Sequence, residues 1–313
     1  SKEQSNVTSY NAMAVAIVTV EAFAGMWINA FIVSVLCVGW IKKQTLNSNE
    51  KILLVLGVSR FLYLCISWLF SFLSITYSKY LYVHSVLQIV LSVQTFLNYF
   101  KLWVSACLCT FHCIKISNFK NSFFIYLKVK IDKMVPWLLL GSVLLAFAIS
   151  IIAYDIVENL QSTNDNSTCR GNFWEESIKM EESLFHIYFL TGFGYAASFM
   201  AVVFSGLLLL FSLWRHKRNM QTNSMKNLSM DAHIRAMKSI ISFLVIYSIN
   251  FICLILTIIY SAKSNENPAR FLIYVFLYAF PGIHSLILVF SNPKMKNTLL
   301  RILPCVKCKV CMK

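Results

Sequence analysis

The sequence predicts an all-α membrane protein, folded as a bundle of seven transmembrane helices. Of its 313 residues 58% are hydrophobic and only 13% are charged, whereas an ordinary soluble domain has about 25% charged residues. The chain also contains several apolar runs that reach the roughly 20 residues needed to cross a bilayer. A soluble domain could not cover this much apolar surface, so we expect a single membrane domain over residues 1–313.

Seven apolar runs follow one another along the chain. Each is expected to be helical, because only helices or closed barrels satisfy their backbone groups in lipid. The alternating strands of about ten residues that are typical of a barrel are missing from the sequence. The predicted helices cover about 11–41, 52–76, 82–114, 134–154, 184–214, 236–262 and 271–291, followed by a tail over 292–313.

The connections between these runs predict the orientation. Lys and Arg are concentrated in alternate connections and in the tail, whereas Asp and Glu predominate in the long connection between runs four and five. Because basic loops stay in the cytoplasm, the amino terminus is expected outside and the carboxyl terminus inside. The same topology, with attraction to anionic membrane lipids, explains the net charge of +15 better than nucleic-acid binding does.

Helices one, two and seven carry polar residues within their apolar runs. An unpaired Arg60 in mid-membrane would cost about 3 kcal/mol or more, so it should face the bundle and find acceptors. Asn29 in helix one and Ser285 in helix seven are the expected partners. This intramembrane network is either a purely structural lock or one that is remade on activation.

Helix three and its neighbours supply a predicted ligand pocket in the outer half of the bundle, the usual place for a cavity in helical bundles. The alternative for each residue is core packing. Asn98 is the strongest candidate, because an amide in mid-membrane needs partners. The set has little fixed charge, which suits small, neutral or weakly basic organic molecules. Its members are Ser71, Gln94, Asn98, Asn250, Leu254, Tyr274 and Tyr278.

The segment after helix seven predicts a short amphipathic helix on the inner membrane surface, over about 293–303. Beyond it, Cys305, Cys308 and Cys311 form C-x-x-C-x-x-C. A zinc site would need a fourth ligand, so palmitoylation is favoured, with unmodified thiols as the alternative. The sequons at Asn6 and Asn166 lie in predicted outer segments and are candidate glycosylation sites.

Motifs for catalysis are missing from the sequence. It has no H-E-x-x-H, Walker A, G-x-G-x-x-G or G-x-S-x-G phrase, and its histidines form no metal-ligand pattern. We therefore expect no enzyme activity, no metal and no cofactor. A transporter or channel is the rival class, since Glu21, Arg60 and Lys101 could line a pathway. The lack of an internal repeat argues against it.

One phrase resembles a known family. The segment 111–120 reads FHCIKISNFK, which is similar to the F-Y-x-x-K-I-A-N-F-S phrase of bitter taste receptors, the type 2 taste receptor family. Helix three departs from the pattern of this family: Gln94 stands where a Trp is frequent, Tyr99 stands where a His is frequent, and Lys101 adds a positive charge. Further matches are Glu21, Gly25 and Asn29 in helix one, Ser59-Arg60 in helix two, His284-Ser285 in helix seven and N-P-K-M-K over 292–296.

This resemblance implies a G protein-coupled receptor in the plasma membrane. Its partners would be small bitter molecules, membrane lipids and a heterotrimeric G protein of the gustducin type or another inhibitory class. A seven-helix receptor for another chemosensory ligand is the alternative. The sequence leaves the agonist and self-association into an oligomer open. The implied G protein contacts are Lys115, Phe119, Arg215, His216 and Lys238.

Overall fold

The computed structural model describes residues 2–76, 84–117, 119, 121–166, 173–222, 227–262 and 269–310. Every regular element within these ranges is an α-helix. The prediction of an all-helical protein is therefore confirmed for the described residues. The helices are α1 Lys2–Lys43, α2 Ser48–Thr76, α3 His84–Ile116, α4 Ser122–Asn166, α5 Phe173–Thr222, α6 Asn227–Ala262, α7 Ala269–Ser291 and α8 Pro293–Val310.

Short polar side chains set the helix ends. Before α2, the backbone N–H of Asn47 donates to Glu50 Oε2 at 3.2 Å, half of a capping box. Before α4, Asn121 Oδ1 accepts from the N–H of Phe123 at 2.9 Å. Before α8, Asn292 Oδ1 accepts from the N–H of Lys294 at 3.0 Å. Each cap satisfies N–H groups that the first helical turn leaves without a partner.

Five helices in the described ranges are long and apolar enough to cross a membrane, and a sixth span is counted if residues 275–291 and 293–302 are taken together. Those two segments are bent by 101°, at the Asn292 cap followed by Pro293, a residue suited to the first helical position. α3 falls outside this group. Its Asn98, Lys101 and Ser105 lower its hydropathy, and all three are buried.

The helices pack as a closed ring with α3 in the middle. Contacts join α1 to α2 and α7, α5 to α6, and α6 to α7, while α3 touches α2, α4 and α5. We call the end that carries α8 the α8 end. There Met295 is fully buried with Leu36 and Val289. Large apolar side chains cover the outside, as on a surface facing lipid: Val20, Trp27, Ile41, Trp137 and Phe193 are all more than half exposed.

α4 begins at Ser122, earlier than the apolar run near 134 indicates. Its first turns are amphipathic: Ile131 and Val135 are buried against the core, while Val129 and Asp132 are exposed. Hydropathy locates the membrane-crossing part of a helix and not its full length. Only five residues consequently separate the end of α3 at Ile116 from the start of α4 at Ser122.

Candidate ligand site and polar network

Arg60 lies at the centre of the bundle and is only 1% exposed. Its Nη1 donates to Ser285 Oγ at 3.0 Å on α7, and its Nη2 donates to Ser105 Oγ at 3.2 Å on α3. Nη2 also contacts Nδ1 of His284. Because guanidinium is only a donor, Nδ1 must accept, which places the imidazole proton on Nε2.

The network continues from Ser285 into α1. Ser285 Oγ donates to Asn29 Oδ1 at 2.8 Å, and Asn29 Nδ2 donates to the carbonyl of Gly25 at 2.8 Å. α1 and α7 come this close because they cross at two glycines. A Cβ on Gly282 would stand 3.2 Å from Gly25 Cα. The structure thus joins Asn29, Arg60 and Ser285 in one hydrogen-bonded chain.

A second group of polar contacts lies further from the α8 end. Gln94 Nε2 donates to Ser67 Oγ at 3.2 Å, and Tyr278 Oη donates to the Ser67 carbonyl at 2.9 Å. The hydroxyls of Tyr278 and Ser71 are 2.6 Å apart. Three of the residues predicted to bind ligand, Ser71, Gln94 and Tyr278, therefore meet around one turn of α2.

Asn98 connects α3 to α5. Its Nδ2 donates to Tyr195 Oη at 2.5 Å, and the Tyr195 ring stacks on Tyr99 with centroids 5.3 Å apart. Asn98 Oδ1 is buried, and within the described part of the chain it has no hydrogen-bond partner. A buried carbonyl oxygen left in this state is costly, so a bound molecule with a donor group would stabilise it.

Lys101 lies between these two groups. It is 7% exposed, and its Nζ lies 3.0 Å from the centroid of the Tyr63 ring on α2. The antiparallel α2 and α3 therefore meet at three successive polar levels, which we call the polar column. Its levels are Arg60 with Ser105, Tyr63 with Lys101, and Ser67 with Gln94.

The other predicted ligand residues lie on α6 and α7. Asn250 and Leu254 are both buried on α6, and Leu254 belongs to the apolar cluster that contains Tyr99 and Tyr195. Tyr274 belongs to α7, but its side chain lies outside the described residues. The geometry around the polar column does not depend on it.

The predicted G protein contacts lie at the α8 end. Lys115 pairs with Asp132, and Phe119 meets Phe124 edge to face at 4.8 Å. Arg215 and Lys238 are exposed. A cavity of about 620 Å³ opens beside Lys115, between the ends of α2, α3 and α4. The side chains of His216, Asn6, Asn166, Cys305 and Cys308 lie outside the described part, as does the whole of Cys311.

The structure adds residues that the sequence did not single out, above all Ser67, Ser105 and Tyr195. Serines in membrane helices often bond their own helix, as Ser248 does with the Leu244 carbonyl at 2.8 Å, so a lone serine carries little signal. A usable signal was the spacing on α3. The polar residues Gln94, Asn98, Lys101 and Ser105 recur at steps of three and four, which puts them on one face.

Comparison with known proteins identifies the family. Residues 7–307 match the family model described as "Taste receptor protein (TAS2R)". Taste receptor type 2 member 40 of Gallus gallus is 31% identical over 94% of this chain and 95% of its own. Taste receptor type 2 member 9 of Homo sapiens is 31% identical over 96% of both chains. The chain therefore belongs to the type 2 taste receptors, the bitter taste receptors among the G protein-coupled receptors.

Proposed function

We propose that the chain is a plasma-membrane receptor of seven membrane-spanning helices, with the amino terminus outside and the α8 end in the cytoplasm. Basic residues support this orientation, because Lys and Arg stay on the cytoplasmic side. They gather at the α8 end, at the end of α1, around the α3–α4 connection and in α8: Lys42, Lys43, Lys115, Lys128, Lys130, Lys294, Lys296 and Arg301.

The agonist, a small organic molecule, binds beside the outer levels of the polar column. The observation that carries this proposal is the convergence of Gln94 and Tyr278 on Ser67, less than two turns from Arg60 on the same helix. A ligand that exchanges hydrogen bonds with these side chains acts on α2, α3 and α7, the helices that Arg60 joins. It shifts the receptor's equilibrium by its differential affinity for the two states.

The α8 end engages a heterotrimeric G protein of the gustducin type or another inhibitory class. Lys115, Phe119, Arg215, His216 and Lys238 form the docking residues in this proposal. Exposed basic groups at that end support it, since they attract an acidic partner surface and speed association. Palmitoylation of the cysteines at 305, 308 and 311 would hold α8 against the inner leaflet.

Calcium release tests the proposal. Cells expressing the chain with a gustducin-type chimeric G protein are exposed to a panel of bitter compounds, and a response that vanishes without the G protein is expected. Silence across the panel with surface expression verified, or a response that persists without the G protein, would contradict it.

A conservative pair of variants then tests the ligand site. Tyr278→Phe removes the hydroxyl that reaches Ser67 and Ser71, and we expect it to raise the EC50 of an active compound about tenfold. Tyr126→Phe is the matched control, because that hydroxyl accepts from Lys130 of its own helix. Equal effects of the two variants would place the ligand elsewhere.

A further inference from the structure

We propose that Lys101 makes this receptor selective for organic acids, through a salt bridge between its ammonium and the carboxylate of the agonist. This inference names the ligand class of the site above and therefore rests on the proposed function. It departs from the sequence-based expectation of neutral or weakly basic ligands. The departure comes from one observation: Lys101 faces the interior of the bundle beside the ligand residues.

Lys101 has no counter-charge among the described residues. Ion pairs among the described side chains join Lys115 to Asp132 and Lys294 to Glu50, both at the α8 end. Arg60 has hydroxyl and imidazole acceptors. Lys101 Nζ, in contrast, meets the face of Tyr63, and no carboxylate of the described part pairs with it. A buried cation in this state gains from a ligand that supplies a negative charge.

The Lys101 side chain points toward the ligand residues. Side chains in an α-helix lean toward its N-terminus. For α3 that end lies away from α8, so the Lys101 side chain leans toward Asn98 and Gln94. Its partner Tyr63 fits this direction, because it lies one turn beyond Arg60 on the antiparallel α2. The ammonium therefore belongs to the ligand side of the polar column.

A hydrogen-bond acceptor neighbours Lys101. Asn98 lies three residues before Lys101 on the same face of α3, and its buried Oδ1 lacks a partner within the described residues. An acceptor without a donor, beside a cation without a carboxylate, fits an acid that carries its own hydrogen-bond donor. The carboxylate pairs with Lys101, and a hydroxyl or amide N–H of the same molecule donates to Asn98 Oδ1. Hydroxy acids and amido acids are the class that satisfies both groups.

The charges around Lys101 disfavour cationic ligands. Arg60 adds a second positive charge at the next level of the column, and a low-dielectric interior screens like charges poorly. An ammonium-bearing ligand would meet two cations at this place. We therefore expect potency to fall in the order acid, neutral amide, amine for ligands of one skeleton.

The test compares matched probes in the calcium assay. Salicylate, 4-hydroxybenzoate and 4-hydroxycinnamate are each paired with the primary amide of the same skeleton. Lys101→Met keeps the length of the side chain and removes the charge, whereas Lys101→Arg keeps the charge. Lys130→Met is the control: it removes the same charge from an exposed side chain that contacts Tyr126 of its own helix.

We expect Lys101→Met to raise the EC50 of the acids at least about tenfold and to leave the amides unchanged. Lys101→Arg and Lys130→Met should both retain the preference for acids. Surface staining checks folding of the Met variant. Equal potency of the amides and the acids would overturn the inference while the proposed function stands. An acid preference that survives Lys101→Met would do the same.

A silent receptor would instead count against the proposed function, and a binding measurement then decides the inference separately. The purified chain in detergent is melted with each probe. Thermal stabilisation by acids and not by amides, lost in Lys101→Met, supports the salt bridge. Equal shifts for acids and amides, or no shift with either, would overturn it.

Discussion

Ser285 is the side chain through which α7 holds both α1 and α2. Its hydroxyl accepts from Arg60 and donates to Asn29, and hydrogen bonds to a charged group contribute about 1.5–3 kcal/mol. Ser285→Ala should therefore lower the free energy of unfolding by about 2 kcal/mol, measured by thermal unfolding of the purified receptor.

Ser248→Ala is the matched control for that change. Its hydroxyl bonds the Leu244 carbonyl within its own helix, so its removal should cost less than about 0.5 kcal/mol. If Ser285→Ala and Ser248→Ala had the same melting temperature, the hydrogen-bonded chain through Ser285 would contribute nothing to stability.

The sequence allowed the partners of Arg60 to be anticipated only where chemistry left few choices. Asn29 and Ser285 were predicted because polar groups in apolar runs must find one another. Ser285 does bond Arg60, whereas Asn29 is joined to Arg60 only through Ser285. Ser105 was not predicted, because a membrane serine can satisfy itself, and Ser105 does donate to the Lys101 carbonyl at 2.8 Å while it accepts from Arg60. The pairing of Lys101 with Tyr63 depends on the register between α2 and α3, which cannot be read from a single sequence.

At the scale of elements, α1 and α7 pack backbone to backbone. A Cβ on Gly282 would lie 3.2 Å from the Cα of Gly25, an atom that cannot move aside alone. Gly282→Ala should push the helices apart, lengthen the Asn29–Ser285 hydrogen bond and lower the free energy of unfolding by about 1–3 kcal/mol.

Gly141→Ala should instead raise the free energy of unfolding. A Cβ there meets nothing within 4 Å, and alanine stabilises a helix interior by about 0.5–1 kcal/mol relative to glycine. Thermal unfolding of both variants distinguishes close packing from a general effect of glycine replacement. A gain in stability from Gly282→Ala would show that the crossing has room.

α8 is attached in two ways of unequal strength. Met295 is fully buried in the core, whereas the Lys294–Glu50 pair at 2.9 Å is partly exposed. Met295→Ala should cost about 2–5 kcal/mol and Lys294→Ala less than about 1 kcal/mol. Hydrogen exchange of the α8 amides is the measurement: protection should fall sharply in the first variant only. Equal loss in both would mean that the ion pair matters as much as the buried side chain.

The extent of the elements was predicted unevenly for a physical reason. The amphipathic character of the segment after helix seven was readable, because its apolar and basic residues alternate at helical spacing. The start of α4 was not, because its first turns lie outside the apolar run and carry Lys128, Lys130 and Lys133. The apolar part of a helix is the part that crosses the membrane, whereas a capping residue such as Asn121 fixes the position at which the helix begins.

The orientation of the whole molecule has its own test. If the α4–α5 connection is outside, Asn166 receives a glycan. Glycosidase treatment should then change the gel mobility of the Asn6→Gln parent and leave that of the Asn6→Gln, Asn166→Gln variant unchanged. Asn227 begins α6 at the α8 end, so Asn227→Gln should change nothing. Loss of the glycan in the Asn227→Gln variant would instead indicate the opposite orientation.

The register of the polar column restricts how the bundle can change shape. A shift of α3 by one turn, about 5.4 Å, would bring Lys101 opposite Arg60 in one direction. In the other it would bring the apolar turn around Leu108 opposite Arg60. Either displacement is unfavourable, because the first brings like charges together and the second takes the Ser105 hydroxyl away from Arg60, which would keep only its acceptors on α7. We therefore expect α2 and α3 to resist piston-like sliding past each other. Spin labels across this pair should keep their separation on agonist binding, and we expect the rearrangement of activation to fall on the other helices.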